Sequence, residues 1–146
     1  MNKVLRRRPP GSFWAISILL LIWNGLGVFA YLTQITATEE RLAEIYSAGE
    51  LALVQSQPFW VLSAFAIAVF GGVLGALSLL MRKSWSRAIF AISLIAAAVQ
   101  HFWFFVLSDG PSQMSMAQLI MPIIIVPVCI FAVWYAGNGI RRGWLR

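Results

Sequence analysis

Five polar side chains stand out against the apolar runs that hold them: Asn24, Tyr31 and Gln34 in the first run, Gln100 and His101 in the third. A carboxamide or imidazole surrounded by hydrocarbon is costly unless a group inside the protein pairs with it. Asn24, Gly27, Tyr31 and Gln34 follow offsets of three, seven and ten residues, so on a helix they share one face. His101, beside Gln100, is the only histidine. Its neutral ring donates at one nitrogen and accepts at the other, and Tyr or Gln can serve either end. Two roles compete for this set. Hydrogen bonds across helices would hold the packing, at about 0.6 kcal/mol each on average. A ligand-binding or ion site is the other role, since ionisable groups inside membranes tend to be functional.

Composition decides what must position these residues. Of 146 residues, 60% are hydrophobic and 11% charged, with a mean hydropathy of +0.81. Soluble domains carry roughly 25% charged residues, and a soluble chain of this length has too little interior for so much apolar surface. The lipid bilayer is therefore the expected solvent. Residues 9–38, 51–81, 88–108 and 110–140 contain no Lys, Arg, Asp or Glu. Each meets the length of about 20 apolar residues needed to span the hydrocarbon as a helix. Helices are expected over 13–36, 59–81, 85–108 and 116–140, with residues 37–57 as an outer-surface loop or short helix. The fold class that follows is all-α, a four-helix transmembrane bundle forming one integral-membrane domain, 1–146.

Charge sets the threading. Lys3, Arg6, Arg7 and Arg8 precede the first helix, Arg82, Lys83 and Arg87 separate the second from the third, and Arg141, Arg142 and Arg146 follow the fourth. Only Arg41 falls on the other side, together with Glu39, Glu40, Glu44, Glu50 and Asp109. Cytoplasmic loops hold the Lys and Arg, so both termini are expected to be cytoplasmic. A net charge of +6 confined to such short flanks suits anionic headgroups and excludes a groove for nucleic acid. The first run is also longer than the 7–15 residues of a signal-peptide core, which predicts that it is retained.

Within 37–57, Thr38 can cap a short helix whose first turn carries Glu39 and Glu40. Leu42, Ile45 and Tyr46 recur at helical spacing, and Gly49 would end that helix. It would lie on the membrane surface, lid the bundle or simply connect. Trp14, Trp85, Trp134 and Trp144 fall near one interface and Tyr31, Trp60 and Trp103 near the other, as aromatic belts do; Trp23 lies at mid-depth.

The second helix has Ala64, Ala68, Gly72 and Ala76 at every fourth position, beside Gly71 and Gly75. Small residues so spaced let helix backbones approach, so Gly71, Gly72 and Gly75 mark a packing face, toward another helix of the chain or a second copy. In the fourth helix Pro122 and Pro127 each remove a backbone donor and predict kinks. At about 1.5 Å per residue, His101 comes level with 28–31 of the first helix, so Gln100 and His101 are expected to face Tyr31 and Asn24. No catalytic residues emerge: there is no Ser/His/Asp set, no phosphate loop and no buried carboxylate pair. No metal-spaced group or cofactor ligand set is present either. A haem would need two axial ligands, and Cys129 stands alone. The chain reads as no enzyme.

Trp23-Asn24-Gly25-Leu26-Gly27 with Ala30-Tyr31, Phe70 to Gly75 with Arg82-Lys83, and Met121-Pro122 form a pattern across nearly the whole chain. It resembles a group of small bacterial four-helix inner-membrane proteins, uncharacterised and often given a sugar-transporter label. That resemblance implies a shared fold and a bacterial inner (plasma) membrane location. The leading expectation is a small membrane protein that moves or binds a small solute such as a sugar. It would act as a homo-oligomer, since a path is easier to build between protomers. The alternative is an accessory or assembly subunit of a larger membrane complex, using the glycine face as its contact.

Overall fold

The computed structural model describes residues 7–146; Lys3 and Arg6 of the first basic cluster lie outside them. Continuous apolarity yields long helices here because backbone N–H and C=O groups without water must bond within their own segment. Four helices are long and apolar enough to cross a membrane: α1 (Gly11–Thr36), α4 (Phe59–Leu80), α5 (Ser86–Phe102, continuing to Leu107) and α7 (Met116–Arg141). Three short ones, α2 (Glu39–Ile45), α3 (Ala48–Ser56) and α6 (Gly110–Gln113), sit in the connections. No strand is present among the described residues.

The connector differs from expectation. Thr38 does cap α2, its hydroxyl accepting from the Arg41 amide at 3.3 Å. Gly49, however, lies inside a second helix instead of ending the first. The reason is local: Ser47 and Glu50 form a reciprocal capping box that restarts the helix after two residues. A close approach also favours glycine at position 49, since a side chain there would run into the Gln113 backbone of α6. Ser115 and Gln118 form a second capping box on α7, and the Gln118 side-chain Nε2 donates to Ser47 Oγ at 3.2 Å. With Leu53, Val61 and Trp103 buried together beneath them, α3 and α6 form a cap over one end of the bundle. Beside the cap, burial and the neighbouring Glu50 carboxylate push the Tyr46 hydroxyl above its ordinary pKa.

The third long helix keeps its expected span and changes its winding near the end. Its last stretch, Trp103–Leu107, is a π-helix, closed by the Ser108 amide donating to the Trp103 carbonyl at 2.8 Å. By contrast α7 runs through Pro122 and Pro127 as one 26-residue helix.

Packing follows the order α1 on α4, α4 on α5 and α5 on α7. The small residues of α4 occupy both of its contacts. A side chain at Gly72 would overlap the Asn24 carboxamide of α1, and one at Gly75 would overlap the Phe90 ring of α5. Gly71 lies against Ser93, whose hydroxyl donates to the Ala68 carbonyl at 2.6 Å. The glycine face is therefore used within the chain.

The end of the bundle that carries the arginines, called the basic end below, is tightly closed. Phe13, Leu79 and Ala136 have no exposed surface there, and the Phe13 ring stacks on Tyr135 of α7 with centroids 6.3 Å apart. Leu145 folds back into the same cluster. Arg82 fastens this end. Its backbone takes a left-handed φ of 59°, unusual outside glycine. Its guanidinium donates to the carbonyls of Trp144 at 2.8 Å and Arg7 at 3.1 Å. The Arg146 amide in turn donates to the Arg82 carbonyl at 2.6 Å.

Candidate functional site

Beyond the closed basic end α1 and α7 stay apart, and a cavity of about 230 Å³ opens between them, floored by α4 and α5. Of the four residues expected to meet, Asn24 and Gln100 lie on its wall, and Tyr31 and His101 do not. Close packing sets Asn24 in place: Gly72 leaves room for its carboxamide, and its Nδ2 donates to the Leu20 carbonyl at 2.8 Å. The Asn24 Oδ1 and the whole Gln100 carboxamide have no protein hydrogen-bond partner among the described residues. Trp23, Gly27, Phe65 and Ile125 make most of the remaining wall apolar. Cys129, which spacing gave no role, also lines it.

A smaller cavity of about 90 Å³ adjoins this one toward the capped end, sharing Gln100 and Ile125 as a partition. Gln57, His101 and Pro122 complete its polar lining, and it has room for water. Gln34 lies outside it and donates to Gln57 Oε1 at 2.8 Å, tying the end of α1 to the start of α4. Polar groups thus run from Gln34 and Gln57 near the cap, past His101 and Gln100, to Asn24.

His101 turns toward α7, not toward α1. One ring nitrogen, Nδ1, lies 2.7 Å from the Ala97 carbonyl of its own helix, and Nε2 lies 3.0 Å from the Pro122 carbonyl. Both partners are acceptors, and a neutral ring has only one N–H to donate. The π turn begins two residues later, and the Phe105 ring stacks on the imidazole at 6.1 Å. Tyr31 is not brought to this group. Its ring meets Phe65 and Phe70 of α4 edge-on, at 5.4 and 5.9 Å. The expected meeting of Tyr31 with His101 therefore does not occur, because the α1 stripe packs on α4 instead of facing α5.

Gln57 is the polar residue that sequence reasoning passed over. It sits in the connector just before Pro58, and only the return of the chain brings it to Gln34. No periodicity within one helix could have shown that. Comparisons with models of protein families, with curated proteins and with solved structures find no match to this chain.

Proposed function

We propose that this is a non-catalytic protein of the bacterial inner membrane, basic end in the cytoplasm, which binds a small amphipathic solute between α1 and α7. The observation that carries the reading is the pair of carboxamides, Asn24 and Gln100, with unused hydrogen-bonding capacity on one otherwise apolar wall. A few placed polar groups on an apolar surface is how small-molecule sites are built. The 230 Å³ volume restricts the solute to something below drug size. A sugar, with hydroxyls on every side, would leave several of them against Leu26, Phe65, Val69 and Ile125, at about 1–3 kcal/mol for each unpartnered group. A mostly apolar molecule with one polar end fits the wall better. The polar groups from Gln34 to Gln100 favour entry from the capped, acidic side.

The accessory-subunit reading draws support from one feature, the open seam between α1 and α7, which could seat a partner helix. The glycine face of α4 offers no such place, since α1 and α5 already occupy it.

Cys129 is the only cysteine and lines the cavity, so it reports on occupancy. In membranes containing the protein, 1-decanol is expected to slow modification of Cys129 by N-ethylmaleimide, and Asn24→Leu with Gln100→Leu is expected to remove that protection. Equal protection in the double variant would remove the two carboxamides from the site.

A further inference from the structure

The basic residues divide into two groups. Arg82 spends its guanidinium on two backbone carbonyls, and Arg142 donates to Asn138 Oδ1 at 3.3 Å while lying 5.2 Å over the Trp144 ring. Arg87 and Arg141 have no hydrogen-bond or ion-pair partner among the described residues, where the single ion pair is Arg41–Glu44, near the cap. Yet these two unpaired arginines line the same groove, about 280 Å³, between α5 and α7 on the outside of the bundle. Gly137 gives Arg87 the room to reach it. The Arg87 side chain crosses to α7 there, with Nε only 3.3 Å from where a Cβ of residue 137 would sit. Below the arginines the groove is apolar, lined by Leu94, Ile130 and the exposed Trp134.

Two guanidinium groups on one groove, neither in an ion pair, would both attract an anion placed between them. The place and the lining name the anion's class. Arg87 and Arg141 stand where a long apolar helix begins and another ends, at headgroup level in a bilayer, and the apolar stretch below runs toward its middle. Guanidinium groups match a phosphodiester with paired donors. Trp134 suits the interface, and Ile130 and Leu94 suit an acyl chain.

We infer that the groove between α5 and α7 is a site for one anionic phospholipid, its phosphate held by Arg87 and Arg141 and one chain lying along Leu94 and Ile130. This site lies apart from the α1–α7 cavity and does not depend on it.

The test is native mass spectrometry of the purified chain released from micelles containing equal phosphatidylglycerol and phosphatidylcholine. Phosphatidylglycerol should be retained preferentially at one per chain. At about 1 kcal/mol per interfacial arginine, affinity should fall about fivefold for Arg87→Gln or Arg141→Gln and about 25-fold for both. Gly137→Leu, which keeps both charges but fills the crossing point, should weaken binding too, whereas Lys83→Gln should not. Circular dichroism is the check that each variant keeps its helices, and the exposed Arg87 and Arg141 carry the test should Gly137→Leu misfold. Equal loss with Lys83→Gln would mean diffuse attraction to charge and overturn the site. So would equal retention of phosphatidylcholine, or displacement of the lipid by millimolar inorganic phosphate, which would show that the anion alone is recognised.

Discussion

At the basic end Phe13 and Leu79 have no exposed surface and the Tyr135 ring lies on Phe13, whereas a few turns along the same helices Asn24 and Cys129 face a cavity of about 230 Å³. One pair of helices, α1 and α7, thus behaves in two ways. The difference comes from what each end offers to fill the space. Large rings and the returning Trp144 and Leu145 pack the basic end, and Arg82 ties Arg7 and Trp144 to the α4–α5 turn. In the other half Gly27, three alanines and two carboxamides face the gap among larger apolar side chains that do not close it, and a cap of short helices lies above it. In a bilayer, where helices associate through packing and hydrogen bonds instead of exclusion of water, such a half-filled bundle is held by its filled half.

That contrast can be broken by substitution. Phe13→Ala removes a fully buried ring from the filled end and should lower stability by about 3 kcal/mol, read as an earlier unfolding midpoint in micelles. Its counterpart, Met121→Ala at the exposed lip of the cavity, should stay within about 0.5 kcal/mol. Gly72→Leu drives a side chain into the Asn24 carboxamide, so α1 must move off α4; about 1–3 kcal/mol should be lost, with faster maleimide modification of Cys129 as the seam widens. His101→Leu removes the contact to the Pro122 carbonyl and should cost about 0.6 kcal/mol, the typical worth of a cross-helix hydrogen bond. Smallest is Gln100→Leu, whose side chain bonds to no protein group. Its unfolding midpoint should not move, while protection of Cys129 by 1-decanol is reduced.

Much of this contrast could not be read from the chain. Four long apolar helices were legible because uninterrupted apolarity leaves a backbone no other way to satisfy itself. That Gln100 lies on a wall shared with α1 was legible from depth and direction, though these put it level with residues 28–31 and not with Asn24. The place of Tyr31 was not legible, because spacing identifies a helix face without saying which neighbour that face meets, and Phe65 and Phe70 claimed it. The second connector helix hides behind Gly49, a residue that ends helices in general but here gives room to Gln113. Arg82 reads from sequence as a topological charge, and its left-handed backbone and its bonds to Trp144 and Arg7 depend on chain segments far apart.

The account rests on the α1–α7 seam being open at the level of Cys129, and the rate of N-ethylmaleimide modification in intact membranes tests that directly. Cys129 should react without denaturant, and Ala30→Trp, which places an indole in the cavity wall, should slow the reaction sharply. Reaction only after sodium dodecyl sulfate is added, or an unchanged rate with the tryptophan in place, would contradict it.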